Sequence, residues 1–244
     1  MSTPLLEVRD LAVHFGGVKA VDGISLSLQE GSIYGVLGPN GSGKSTLLGA
    51  ITRLTPATRG DILFEGRSYA NVSASRVHHL GVGRTFQTVR LLEDRTVRDN
   101  VLLGADTTRK SRAEIAERAD YVMELVRIHT IQKVRPSELS YGMQRRVEFA
   151  RAIVSDPKIL LLDEPTAGMN TNERQEITAV MRLLQTEGLT QFIIEHDVAM
   201  MVDVCDYMYA MNFGKLIAEG KPDEVVRDEL VQEAYLGKRA KKHA

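Results

Sequence analysis

The chain has 244 residues, 43% of them hydrophobic, and its 31 Lys and Arg nearly balance 32 Asp and Glu, for a formal net charge of −1. That length can bury a large core, and one domain with a subdomain is expected rather than two independent units. Near-neutral charge gives no footprint for nucleic acid, the single Cys205 excludes an internal disulfide, and no apolar run approaches the roughly 18 residues of a membrane span. The N-terminus shows no signal-peptide core, so a reducing cytosol is expected, and any membrane process would be served as a peripheral partner.

Alternation through Leu6–Phe15 and Ile24–Leu28 predicts half-buried antiparallel strands, with another near Ile62–Phe64. The apolar run Ile33–Leu37 then leads into Gly38-Pro39-Asn40-Gly41-Ser42-Gly43-Lys44-Ser45-Thr46, with a helix expected from Lys44 to about Arg53. This nonapeptide is a phosphate-binding loop. Its glycines let successive N–H groups point into a concavity capped by the positive end of the helix. Lys44 is expected on the β- and γ-phosphates and the Ser45 hydroxyl on Mg²⁺. Kinases, GTPases, helicases and transport ATPases share such a loop, so it names the ligand class alone.

Between Gln87 and Pro157 strand signals are few, and helical spacing recurs in Thr96–Gly104 and Ala113–Ile128, predicting a helical insert at about 88–156. Ser140 is a natural N-cap for a helix running to about Val154, with Gly142 in its first turn. Ile159–Asp163 and Gln191–Glu195 are too apolar for exposure on either face, as in a buried parallel sheet. A helix from Asn172 to Glu187, closed by Gly188, joins them. Tyr207–Asn212 and Lys215–Ala218 flank Phe213-Gly214 as a hairpin, followed by one helix from Pro222 toward Tyr235. Cys205 is expected in the core, and the basic run Lys238–Lys242 as a solvated end.

The first of the two apolar runs ends in adjacent carboxylates, Asp163 and Glu164. Neighbouring strand residues point to opposite sides, so the two must divide the work. Asp163 is placed to hold Mg²⁺, directly or through water, and Glu164 to polarise the water attacking a γ-phosphate.

Beside these elements, Leu139-Ser140-Tyr141-Gly142 followed by Arg145-Arg146 and Ala150-Arg151-Ala152 resembles the signature of the ATP-binding cassette family. The resemblance implies an α/β P-loop NTPase cassette over residues 1–244, with a mixed sheet core, an N-terminal antiparallel β subdomain and a helical subdomain. It casts Phe15 as the aromatic stacking on adenine. Gln87 becomes the glutamine sensing the γ-phosphate and Mg²⁺, and His196 the switch histidine on the γ-phosphate. His14, His78, His79, His129 and His243 are read as bystanders. In this family the signature of one subunit closes over the phosphate loop of another, so Ser140 and Gly142 would complete the ATP site of a partner cassette, with Ala167–Asn170 coupling the two. Met143 stands where glutamine is usual and Asn170 where aspartate is. Neither touches the water-activating group.

The stretches Val82–Gln87, Glu164–Asn170, Ile194–Asp197 and Glu233–Gly237 resemble the ATPase subunits of branched-chain amino-acid importers, with urea and amide importers nearly as close and lipopolysaccharide exporters further off. That implies ATP and Mg²⁺ as cofactors and a second cassette, membrane permeases and a solute-binding protein as partners, at the cytoplasmic face of the membrane. Soluble cassettes of translation or DNA repair, with twin cassettes, coiled coils or basic surfaces, are the different class to be separated.

Overall fold

The computed structural model describes residues 3–106, 108 and 110–240, with 236–240 described by backbone alone. The terminal basic side chains and His243 lie outside the described residues.

Strands β1 (Leu6–Phe15) and β2 (Val18–Leu28) pair antiparallel, and β4 (Arg59–Phe64) and β5 (Arg67–Ser68) extend them into a sheet of order β2-β1-β4-β5. The expected strand Ile24–Leu28 is thus the second half of a longer one. The main sheet takes β3 (Ile33–Leu37), β6 (Val82–Arg84), β7 (Ile159–Asp163), β8 (Thr190–Glu195), β9 (Tyr207–Asn212) and β10 (Lys215–Gly220) in the order β10-β9-β3-β8-β7-β6. It is parallel except at β10, which returns antiparallel through the hairpin. β3, β7 and β8 are buried at every position.

Alternation along these strands divides the core in two. Val36, Leu161, Phe192 and Ile194 face the antiparallel sheet and α1 (Lys44–Ile51), whereas Leu37, Leu160, Leu162 and Ile193 face the remaining helices. A strand covered on both faces needs no polar side, and β7 has none before Asp163, whereas β8 buries Thr190, Gln191 and Glu195 among its apolar residues.

Among the described residues, three α-helices lie between β6 and β7: α2 (Val97–Leu103), α3 (Arg112–Leu125) and α4 (Tyr141–Ile153). Thr96 and Asp99 form a capping box on the first, and Ser111 with Glu114 on the second, satisfying backbone donors that a helix start leaves open. α5 (Thr171–Thr186) and α6 (Val198–Val204) flank β8, and α7 (Pro222–Val225) and α8 (Glu229–Ala240) end the described chain.

Two expected helices change length. The one after the phosphate loop stops at Ile51, since Arg53 turns to φ +59°. The single helix expected from Pro222 breaks in two, because Asp228 Oδ1 accepts from Leu230 and Val231 N–H and so starts α8 afresh. Cys205 is buried as expected, with Sγ 3.8 Å from Met201 Sδ.

Candidate functional site

β3 delivers the glycine-rich loop to the end of the main sheet, where the loop packs against backbone from two other elements. A Cβ on Gly43, at φ +104°, would fall 2.0 Å from the Ala20 carbonyl oxygen, and one on Gly38 would fall 2.4 Å from that of Met211. The hairpin tip seals this contact: Gly214 N–H donates to the Ser42 carbonyl at 2.9 Å, and Asp22 N–H donates to the Gly214 carbonyl at 2.8 Å. α1 starts at Lys44 with no side-chain cap. A helix N-terminus of this kind carries the positive end of the helix dipole, which favours an anion.

The loop borders a cleft of 630 Å³ lined also by Phe15, Val18, Gln87, Glu164, His196 and Phe213. Asn40, Gly41, Gly43, Lys44, Ser45 and Thr46 form its floor. Gly38 and Pro39 sit behind it and offer carbonyls to Lys44 Nζ at 2.7 and 3.2 Å, while the Ser42 side chain is buried beneath the loop. A second groove, along Tyr34, Tyr207 and Tyr209, carries none of the loop residues.

The paired acids have different surroundings, although Glu164 lies just past β7 rather than on it as the strand alternation assumed. Asp163 ends β7 and is 7% exposed, its carboxyl pushed up by burial and only partly relieved by the Arg84 guanidinium at 3.4 Å. Such a carboxylate favours a further cation. Glu164 turns out of the strand at φ +45° and reaches the cleft, where Gln87 Nε2 donates to its Oε2 at 2.9 Å. His196 Nδ1 stands 3.7 Å from Glu164 Oε1. Three residues distant in sequence thus meet at one point.

Ser140 accepts the Met143 N–H at the start of α4, and Gly142 packs against the Glu173 side chain, closely enough that a Cβ would stand 3.2 Å from it. Neither lines the cleft of its own chain. Asn170 N-caps α5 through the Glu173 N–H at 3.0 Å.

Sequence reasoning passed over Arg145. Its guanidinium is wholly buried and reaches the carbonyls of Phe86 at 2.5 Å, Asp163 at 3.2 Å, Glu164 at 3.0 Å and Pro165 at 3.1 Å, while pairing with Glu148 at 2.5 Å. One side chain of α4 thereby fixes the backbone beside Gln87 and beneath both acids. The available signal was an Arg and a Glu three apart on the face that also carries Phe149. Phe213 and Val18, 84% and 65% exposed at the cleft, were passed over too.

A parallel sheet with a glycine loop at the head of a helix, and acids on the neighbouring strand end, defines a P-loop nucleotide hydrolase. The chain belongs to the ABC transporter family, whose model matches residues 21–167. A model of the branched-chain amino acid ATP-binding cassette transporter matches residues 215–241. LivG of Salmonella typhimurium, a high-affinity branched-chain amino acid transport ATP-binding protein, is 36% identical over 97% of this chain and 99% of its own. BraF of Pseudomonas aeruginosa, described likewise, is 34% identical over the same shares. A solved ATP-binding cassette of an ABC transporter in its ADP conformation superposes with a TM-score of 0.89, at 32% identity, over 97% of this chain and 100% of that one. The chain is therefore a transporter ATPase subunit that couples ATP hydrolysis to transport. Among the described residues, no helix is long and apolar enough to cross a membrane.

Proposed function

We propose that this chain, as one cassette over 1–244 with a helical part at about 88–156, energises the import of branched-chain amino acids. The observation that carries the substrate class is the branched-chain cassette match over β10, α7 and α8. It is supported by the near full-length likeness to LivG and BraF.

Within the cleft, Lys44 and the loop N–H groups hold the triphosphate and Phe15 meets the adenine. Glu164, oriented by Gln87, polarises the attacking water, and His196 contacts the γ-phosphate. Among the described residues, no cluster of three or more His, Cys, Asp or Glu could hold a metal by itself. The Ser45 hydroxyl, the Gln87 amide oxygen and the Asp163 carboxylate are hard oxygen donors that suit Mg²⁺ shared with phosphate oxygens. When bound, the ion neutralises charge on the β- and γ-phosphates.

Ser140 and Gly142 stand outside their own cleft, which favours their use on the nucleotide of a second cassette, identical or paralogous. ATP then closes the pair, and hydrolysis with product release reopens it. Residues 91–100 carry this motion to integral membrane permeases at the cytoplasmic face. Buried Asn100 shapes that segment, accepting the Leu92 N–H at 2.8 Å and donating to its carbonyl at 3.0 Å, which leaves Leu92 45% exposed.

The test is co-purification of the intact complex from solubilised membranes, then ligand binding to its solute-binding subunit. Leucine, isoleucine and valine are expected to bind. Binding of urea or an amide in their place overturns the substrate class, and recovery only with ribosomes or DNA overturns transport.

A further inference from the structure

His196 follows β8 into the cleft, and its ring stands between two carboxylates. Nδ1 lies 3.2 Å from Glu195 Oε2 and 3.7 Å from Glu164 Oε1. Both are ion-pair approaches rather than aligned hydrogen bonds, and the nearer is to Glu195. The nearer partner faces away from solvent: Glu195 is 1% exposed.

Glu195 divides its two oxygens between two loops. Oε2 accepts the His196 backbone N–H at 2.8 Å as well as facing Nδ1. Oε1 accepts the Thr166 hydroxyl at 2.6 Å and, at 3.4 Å, the Thr166 N–H. Thr166 lies just past Glu164 and begins the turn that ends at Asn170, the cap of α5. Asp197 does not compete for the ring, since it pairs with Arg174 at 2.5 Å and caps α6 through Met200 N–H at 3.1 Å. A buried carboxylate is costly unless donors surround it. Here the donors are the histidine and the loop.

We propose that Glu195 is a positioning residue for ATP hydrolysis: it holds the His196 ring with a proton on Nδ1 and ties that orientation to the loop 165–170. The inference rests on the reading of His196 as the γ-phosphate contact. With Nδ1 held from behind, Nε2 is the ring atom left to face the nucleotide. Movement of Thr166 with the loop then moves the histidine.

The experiment uses the full chain labelled with ¹⁵N-histidine, with H196N assigning the His196 resonances. In E195L nothing behind the ring accepts from Nδ1, so the ring proton is expected to shift to Nε2; an amide would not serve, because its NH₂ would turn to the Thr166 hydroxyl and leave its oxygen on the His196 N–H. The Nδ1 resonance is expected to move toward the unprotonated position. The kcat for ATP is expected to fall about 10–100-fold, the usual loss on removing a partner that orients a reacting group, with KM within about twofold.

T166V is expected to lower kcat, and T166S to restore it. Equal rates for T166V and T166S overturn the proposal, and so do unchanged His196 resonances in a folded E195L. H196A separates the two readings. Normal hydrolysis in H196A overturns the role of His196, and with it the coupling to hydrolysis, even if the E195L tautomer shifts. A lost rate in H196A with unmoved resonances in E195L overturns Glu195 alone.

Discussion

Gln87 Nε2 donates to Glu164 Oε2 at 2.9 Å, joining the residue three past β6 to the one just past β7 across the mouth of the cleft. The hydrogen bond sets the direction of the carboxylate at a cleft that Lys44 and Ser45 also line. Replacing Glu164 by Gln keeps the shape and removes the base. Hydrolysis is expected to fall about 10²–10⁴-fold, the usual worth of a positioned general base, while ATP binding persists. Phosphate release and a fluorescent-nucleotide titration measure the two; near-normal turnover would remove Glu164 from the role.

A matched pair of glycine substitutions separates backbone conformation from close approach. Gly41 and Gly43 both have positive φ, +82° and +104°, yet a Cβ on Gly41 meets nothing within 4 Å and one on Gly43 meets the Ala20 carbonyl at 2.0 Å. G41A is expected to cost about 1–2 kcal/mol in stability, the left-handed penalty of an L-residue. G43A must also push β2 off the loop. It is expected to abolish ATP binding, and retention of binding in G43A would show that the β2 contact yields.

The elements that sequence fixed best were those whose physics is local. β7 matches its apolar run, because a strand buried on both faces can write itself as an uninterrupted run, whereas β8 shows only Phe192–Ile194 between buried polar residues. The cap Ser140 acts within three residues of itself, so the start of α4 was legible, and helical spacing showed α2 and α5, although Thr171 rather than Asn172 opens α5. β6 has three residues and exists because Val82–Arg84 align beside β7, a pairing across more than seventy residues that no short pattern announces. Arg145 was hidden for the same reason: an arginine reads as solvated until the carbonyls from Phe86 and from Asp163 to Pro165 surround it. Glu195 was noticed only as part of a subtype stretch, since its partner Thr166 lies 29 residues away.

Cys205 offers a check on the core by pH. Burial, and then the neighbouring Asp206, pushes its thiol well above the ordinary range. The unfolded thiol ionises near about 8.5. Above that value the unfolded chain holds fewer protons than the folded one, so stability is full below it and declines as pH rises. C205A is expected to flatten that decline in urea midpoints measured from pH 7.5 to 10. The native thiol is also expected to resist alkylation at pH 8.5 while the denatured chain reacts, because the thiolate is the nucleophile.

Arg145 and Glu148 form a buried pair whose loss has two separable effects. Removing the arginine alone leaves Glu148, 1% exposed, without its cation, and R145A is expected to cost about 3–5 kcal/mol by urea midpoint. Replacing both by leucine removes the stranded charge and is expected to recover only part of that stability, the carbonyls left without a donor accounting for the rest. The carbonyls of Phe86, Asp163 and Glu164 still lose their common donor in the double variant. Its ATPase rate is therefore expected to stay low, and recovery of both quantities together would reduce Arg145 to a stabilising residue.

Phe213 stands at the hairpin tip with φ +46°, uncommon for a bulky side chain, and is 84% exposed. Phe15, 55% exposed, and Val18, 65% exposed, border the same cleft as Lys44. Apolar groups gathered on a wet surface beside a phosphate site suit the flat face of a base. F213A and F15A are each expected to weaken ATP binding by about 1–3 kcal/mol, the range for a base stacked on an aromatic ring. Inorganic triphosphate has no base, so its competition for the site should be unchanged. F213G relieves the positive φ while still lacking the ring, and is expected to bind ATP as weakly as F213A while melting at a higher temperature. Equal losses for ATP and triphosphate would place these side chains in support of the loop rather than against the base.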